Sequence, residues 1–348
     1  MRVVVGGIGF VIACHGASPA GPLRNHALAG GTNAACLLHD GSVTCWRTRE
    51  DGNPLEHAGT IEGFDDAVQL APNMQNSCVV RRDATVACWG MEWTAASLKP
   101  APTARAVPIP ALDHVTQVSA AKSHACALRA SGEVDCWGET VRGAIDGNEP
   151  SSQVMRPKPI AGIADAVEVS CGDDHTCVRH RDNTVSCIGA MDDGVPITLH
   201  AMDGLRDVTA LASGANFVCG ITQAGTVLCA GANDRAQLGV GDRLPHPSAA
   251  TVTGVDHVVQ IAAADDHACA RTQTGDVWCW GSEWQHGIMP DRGADERGPI
   301  KITGIGPATD LAVTGVQACV SVDGGAIWCW GNAPHDAKAQ AVPVEHTL

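Results

Sequence analysis

The chain is 348 residues long, with 38 acidic against 23 basic side chains and a formal net charge of −15. That balance excludes a nucleic-acid binder, which needs a basic footprint, and no basic run is present. There are 16 cysteines and no tyrosine at all, so hydrolysis through a tyrosine nucleophile is excluded as well.

Met1-Arg2 precedes an apolar run from Val3 to Ala13, which ends at Cys14. The run is too short to span a bilayer. It resembles a signal peptide at the short limit of length, and Val11-Ile12-Ala13-Cys14 resembles the lipobox of bacterial lipoproteins. By that resemblance Cys14 is lipidated and becomes the mature N-terminus; the rival is cleavage near Ala20, which leaves a soluble secreted protein. Residues 1–20 are assigned to this export segment and a linker, and residues 21–348 to one repeat domain.

From Gly21 a pattern recurs seven times. Fifteen residues before the first cysteine of each repeat stand Gly21, Gly63, Ala111, Gly162, Gly204, Gly254 and Gly304. Eight residues before it stand Leu28, Leu70, Val118, Val169, Leu211, Ile261 and Leu311, all apolar. Two positions earlier come His26, Val68, Thr116, Val167, Thr209, Val259 and Thr309, and the residue between is often polar, as at Gln69, Gln117, Glu168, Gln260 and Asp310. This alternation predicts a strand with one buried face. Small residues follow (Ala120-Ala121, Ser213-Gly214, Ala262-Ala263), which suits an innermost strand crowded around a shared axis. Apolar positions before the glycine (Ile61, Ile109, Ile160, Val252, Ile302) predict an outer strand. Blade one lacks room for its own after the export segment, so Ala341-Val342-Pro343-Val344 is expected to supply it and to bring the chain ends together in one blade.

The cysteines recur in pairs: Cys36 and Cys45, Cys78 and Cys88, Cys126 and Cys136, Cys177 and Cys187, Cys219 and Cys229, Cys269 and Cys279, Cys319 and Cys329. The step between repeats is 42 to 51 residues, the length of one four-stranded propeller blade. If Cys36 faces Cys45, then Asp40-Gly41 becomes a two-residue hairpin loop, the strongest short hairpin signal. For the other pairs the same arithmetic leaves a three-residue loop whose third position needs a left-handed residue. Gly132, Asn183, Gly225, Gly275 and Gly325 meet that need, and Ala84 departs from it. The register so defined sets the two cysteines of each pair opposite one another, within reach of a disulfide. No C-x-x-C occurs, and one pair per blade cannot complete a four-ligand zinc shell. Each bridge is expected to contribute about 2.5–3 kcal/mol through loop closure. Seven of them imply an oxidising compartment, so the protein is expected to be extracytoplasmic.

The blocks His267-Ala268-Cys269-Ala270, Val277-Trp278-Cys279-Trp280-Gly281 and Gly231-Ala232-Asn233-Asp234-Arg235-Ala236-Gln237-Leu238-Gly239 resemble the regulator-of-chromosome-condensation repeat. The resemblance covers nearly all of residues 21–348 and implies an all-β, seven-bladed propeller. Arg47 stands where the glycine after Trp46 is usual, Ile188 and Ala230 replace the motif tryptophan, and only blade five keeps the full loop of Gly-Gln-Leu-Gly type. The family includes a chromatin-bound exchange factor for a nuclear GTPase and a secreted bacterial β-lactamase inhibitor protein. Fold transfers between such members and function does not. The acidic balance and the cysteines favour the secreted, partner-binding precedent.

Candidate sites are few. Trp93 and Trp284 each lie four residues after a motif tryptophan, beside Glu92 and Glu283, and loop tryptophans of this kind are interface hot-spot candidates. Trp89, Trp137, Trp280 and Trp330 read as structural. His124, His175 and His267 each precede a first cysteine by two residues and read as core histidines that join neighbouring blades. No metal is expected, because a bridged cysteine cannot ligate one. Asp173-Asp174 and Asp265-Asp266 lack a calcium loop and read as solvated carboxylates. Cys171, the odd cysteine, takes a small-residue position and reads as a buried thiol. Residues 321–328 resemble the Asp-box of sialidase propellers, but one such box is more often a hairpin turn. The expectation is an exported, monomeric, non-catalytic scaffold without cofactors that binds a protein or a surface glycan through its loops and meets membrane only through the lipid anchor. The alternatives are a glycosidase-like hydrolase, which needs perturbed carboxylates or histidines in the axial pocket, and an exchange-factor-like regulator of a GTPase.

Overall fold

The computed structural model describes residues 13–15, 26–31, 34–47, 60–63, 65–73, 76–90, 103–148, 152–191, 197–282, 298–323, 325–331 and 342–344. They form seven sheets, antiparallel but for one added parallel strand, arranged as a seven-bladed β-propeller, and the one short helix described is a single 3-10 turn, Val141–Gly143. Blade three shows the plan. The inner strand Val115–Ala120 pairs with His124–Arg129, that strand with Val134–Thr140, and that one with the outer strand Ser152–Pro159.

The hairpin arithmetic holds in every blade. Cys36 faces Cys45 and the turn is Asp40-Gly41, with φ of 48° and 86°. Both values are positive, as a two-residue loop of this hand requires. The third loop position is left-handed at Gly132, Asn183, Gly225, Gly275 and Gly325, and also at Ala84, where φ is 62°. Ala84 keeps the conformation without the residue that adopts it most easily. All seven disulfides form, with Cα–Cα distances of 4.0–4.1 Å.

Two expectations about the chain ends change. Val342–Val344 pairs with Ile327–Gly331, so the C-terminal segment completes blade seven rather than blade one. Blade one draws its outer contact from its own continuation, through the bridge between Thr44 and Thr60. Blade seven thus takes its outer strand from its own continuation, and the ring closes by packing of blade seven on blade one. At the other end, the backbone of Ala13–His15 runs parallel to the inner strand of blade six, with Cys14 opposite Ile261.

The inner strands also differ from a half-buried strand. Their intervening polar residues are buried: Gln69, Gln117, Glu168, Gln260 and Asp310 are all between 0% and 7% exposed. The reason is geometric, since an inner strand has a neighbouring blade on either side. Each of these side chains bonds the backbone of the apolar residue one blade onward. Gln69 Oε1 accepts from Val118 N–H at 2.8 Å and its Nε2 donates to Val118 O at 3.0 Å. Gln117 does the same to Val169, at 2.9 and 3.3 Å. Glu168 accepts from Leu211 N–H, Gln260 donates to Leu311 O, and Asp310 accepts from Leu28 N–H across the closure of the ring. Arg179 donates to the second oxygen of Glu168 at 2.8 Å, so that buried carboxylate is paired. Blades one and five carry Ala27 and Ala210 at this position, and their interfaces are apolar instead. Ala210 belongs to a cluster with Ile261, Trp280 and Leu311 that spans blades five to seven.

Replacing Gln117 with Ala leaves the Val169 N–H and C=O unpaired in the interface between blades three and four, at a cost of about 1–3 kcal/mol. Urea unfolding without reductant measures it. A change within the roughly 0.5 kcal/mol typical of a surface substitution would refute the staple.

Candidate functional site

Loops joining inner to second strands converge on the axis at one end of the disc. The third strands end there too, because Gly90 lies opposite Asn76 and Gly281 opposite His267. Trp93, Glu92, Trp284 and Glu283 follow those glycines but fall outside the described residues. Cys14 is described in its backbone alone.

At the axis the loops of blades three to six are chained to one another. Ser123 Oγ donates to Asp173 O, Asp173 N–H to Ala215 O, and Ala215 N–H to Asp265 O. They surround a cavity of about 40 Å³, lined on this side by Ala121, Cys171, Gly172, Asp173, Gly214 and Asp265. The carboxylates expected to be solvated are here partly buried. Burial pushes the Asp265 carboxyl up to about 7, with Asp173 and Asp266 raising it further and Lys122 opposing. Asp173 is raised by burial and by Asp174, against Lys122. Asp174 and Asp266 are raised too, chiefly by burial, while Arg142 and Arg235 respectively offset part of the effect. Asp173 and Asp265 thus line the mouth with Asp174 and Asp266 beside them, and all four are raised although Lys122, Arg142 and Arg235 oppose the shift. The hydrolase alternative asked for such a cluster, and among the described residues the cavity beside it measures about 40 Å³.

The histidines are core residues. His124 Nε2 lies 2.8 Å from the Thr176 hydroxyl, which itself donates to Ala144 O, so His124 carries its proton on Nε2. Burial holds it neutral, with its pKa lowered to about 4. Burial, with His124 nearby, lowers His175 to about 3, and a hydrogen bond with the Ala215 backbone opposes that shift. The His175 ring rests on Gly172, where a Cβ would stand 2.1 Å from Cε1. In blade five Phe217 occupies the same seat over Gly214, with the same clash at 2.0 Å. An apolar ring can thus fill that seat, and the expected bridging hydrogen bond is seen at His124, whose partner Thr176 lies in the next blade. A ring nitrogen of His124, Cys126 Sγ and Cys171 Sγ lie within 4.8 Å of one another, but the Cys126–Cys136 bridge occupies one of those sulfurs.

Trp89, Trp137, Trp280 and Trp330 are buried, as expected of structural residues. Trp280 Nε1 donates to Gln237 O at 2.9 Å, and a Cβ on Gly239 would stand 2.7 Å from its Cδ1. The one full Gly-Gln-Leu-Gly type loop therefore seats the tryptophan of the next blade. Asp323 lies exposed on the hairpin between second and third strands, at the opposite end from the carboxylates.

Fold and repeat geometry define the class: a disulfide-stapled β-propeller of seven blades. Models of the regulator of chromosome condensation (RCC1) repeat match residues 115–143, 166–195, 208–237 and 258–287, and a second such model matches residues 224–271. The matched stretches identify RCC1 repeats in blades three to six. No curated protein sequence matches it. Among solved structures, yeast RCC1 (Prp20) bound to Kap60 has a TM-score of 0.70 at 17% identity, covering 99% of this chain and 90% of that one. Prp20p from Saccharomyces cerevisiae, described with its binding to Gsp1p and histones, scores 0.67 at 19% identity over 81% and 78%. The CRINKLY WD40 ectodomain of the Arabidopsis thaliana receptor kinase ACR4 scores 0.56 at 21% identity over 91% and 97%. At these identities the likeness is one of fold.

Asp265 and the buried histidines act on stability in opposite directions. The folded chain keeps the Asp265 proton longer than the unfolded chain does, so its contribution is lost as pH rises from 3.8 towards about 7. His124 and His175 are charged first in the unfolded chain, so their contribution is lost as pH falls from 6.5 towards about 4 and about 3. Asp265→Asn is expected to raise stability at neutral pH. His175→Phe is expected to fold and to remove about 1.4 kcal/mol of acid loss per pH unit below the ordinary histidine pKa. Unfolding midpoints across that range check both, and an unchanged acid limb in His175→Phe would contradict the burial of a neutral imidazole.

Proposed function

We propose that this protein is a non-catalytic binding scaffold that works outside the cytoplasm and engages a protein partner through the loop end bearing the axial carboxylates. The observation that carries this reading is the acidic mouth itself. Asp173, Asp174, Asp265 and Asp266 are partly buried, repel one another in part and are only partly offset by Lys122, Arg142 and Arg235. A partner that brings a lysine or arginine relieves that repulsion on binding, and a net charge of −15 steers such a partner in. A glycan without positive charge gains nothing there.

Seven disulfides support an oxidising compartment. No helix among the described residues is long and apolar enough to cross a membrane. In this reading residues 1–20 direct export and Cys14 carries a lipid, which requires Cys14 to leave its place beside Ile261. An exchange role on an intracellular GTPase sits poorly with the disulfides, and the binding of Gsp1p and histones belongs to Prp20p.

Affinity capture from envelope and secreted fractions, with the oxidised protein as bait, tests the proposal. The expected partner is basic, is lost as salt is raised, and is retained at least about tenfold less by an Asp173→Asn/Asp265→Asn variant. A companion Trp93→Ala/Trp284→Ala variant asks whether the outer loops share the surface. A partner held equally by the Asn variant would refute the carboxylate mouth as the binding face.

A further inference from the structure

Blades three and four meet around a cluster that the binding reading does not use. Cys171, the one free cysteine among the described side chains, ends the inner strand of blade four and is buried. Its N–H donates to Ser119 Oγ at 3.0 Å and its thiol lies 3.6 Å from Ser119 O, both in blade three. Cys126 Sγ and a ring nitrogen of His124 lie within 4.8 Å of the thiol and of each other. Thr176, paired with Cys171 across the strands, sets its hydroxyl 3.7 Å from Cys126 Sγ. His124 Nδ1 has no hydrogen-bond partner. A thiol, a disulfide sulfur and an imidazole with a vacant nitrogen therefore share one buried compartment between two blades.

We propose that Cys171 is the attacking thiol of an internal thiol–disulfide exchange with the Cys126–Cys136 bridge. The Cys171 sulfur, as thiolate, forms a bond to Cys126 Sγ while the Cys126–Cys136 bond breaks. Cys136 leaves as a thiolate and takes up the proton that Cys171 gave up. One S–S bond and one S–H bond stand on each side, so no external oxidant or reductant is consumed. The product ties the inner strand of blade four to the second strand of blade three, exchanging a staple within a blade for one between blades. Asp173 follows Cys171 on the same loop, so the cross-link anchors one wall of the axial mouth. Burial pushes the Cys171 thiol up to about 12, which keeps it protonated in the closed fold at neutral pH. The exchange therefore waits on alkaline conditions or a local opening that hydrates the compartment.

Unreduced tryptic mapping of the full chain reads the outcome, because Arg129 lies between Cys126 and Cys136. The native bridge joins the peptide of residues 123–129 to that of 130–142; the exchanged bridge joins 123–129 to 143–179, with Cys177 still tied to Cys187. Two samples are compared, each quenched in acid: wild type held in alkaline buffer, and Cys136→Ser folded in air. Both are expected to show the 123–129 to 143–179 link, and Cys171→Ser is expected to abolish it in alkaline buffer. Wild type that retains only the native link would overturn the proposal. So would folded Cys136→Ser in which Cys126 and Cys171 both alkylate on denaturation. If Cys136→Ser does not fold, the wild-type sample decides.

Discussion

A strand at the centre of a propeller is covered on one side by the blade before it and on the other by the blade after it. Any polar group it carries must then find a partner in a neighbour's backbone, since water does not reach it. Gln69, Gln117, Glu168, Gln260 and Asp310 meet this constraint in one way, by bonding the backbone of the apolar residue one blade onward. The arrangement aligns adjacent inner strands in register. It also makes the joint between blades seven and one, through Asp310 and Leu28, chemically similar to the joints inside the chain. The ring needs no exchange of strands between the chain ends because this joint is a side-chain bond backed by apolar packing of Leu28, Ala312 and Cys319.

Disulfides and staples divide the work. Each disulfide clamps the second and third strands of one blade and does nothing to hold blades together. The staples and the shared apolar clusters do that. Where a staple is missing after blade five, the Trp280 seat on the Gly-Gln-Leu-Gly type loop and the large cluster around it take over. Cys171 sits where the two systems touch. Its backbone N–H bonds Ser119 across the interface, and its thiol faces a sulfur of the blade-three disulfide. The axial mouth inherits its geometry from the same convergence. Small residues let the inner strands close on the axis, and that closeness forces Asp173 and Asp265 into one another's field.

Much of the fold was legible because hairpin turns are local. Asp40-Gly41 and the left-handed third positions specify the register within a few residues, and the register brings the cysteines together. Ala84 was the exception that a purely local rule could not anticipate; it holds a positive φ because its hairpin and disulfide leave no alternative. The buried polar residues were visible but misread, since alternation marks one apolar face and cannot say what covers the other. The Asp pairs were misread for the same reason. Nothing in Asp173-Asp174 or Asp265-Asp266 signals that two loops 92 residues apart share an axis.

The sequence by itself determined the repeat, the strand order within a blade, the disulfide pairs and the burial of Cys171, all of which depend on spacing and on residues close in the chain. The tertiary structure decided which blade the C-terminal strand completes, where the inner-strand polar groups find their partners, and which carboxylates meet at the mouth. Those depend on distances between blades, which closure of a seven-membered ring sets and no local pattern encodes.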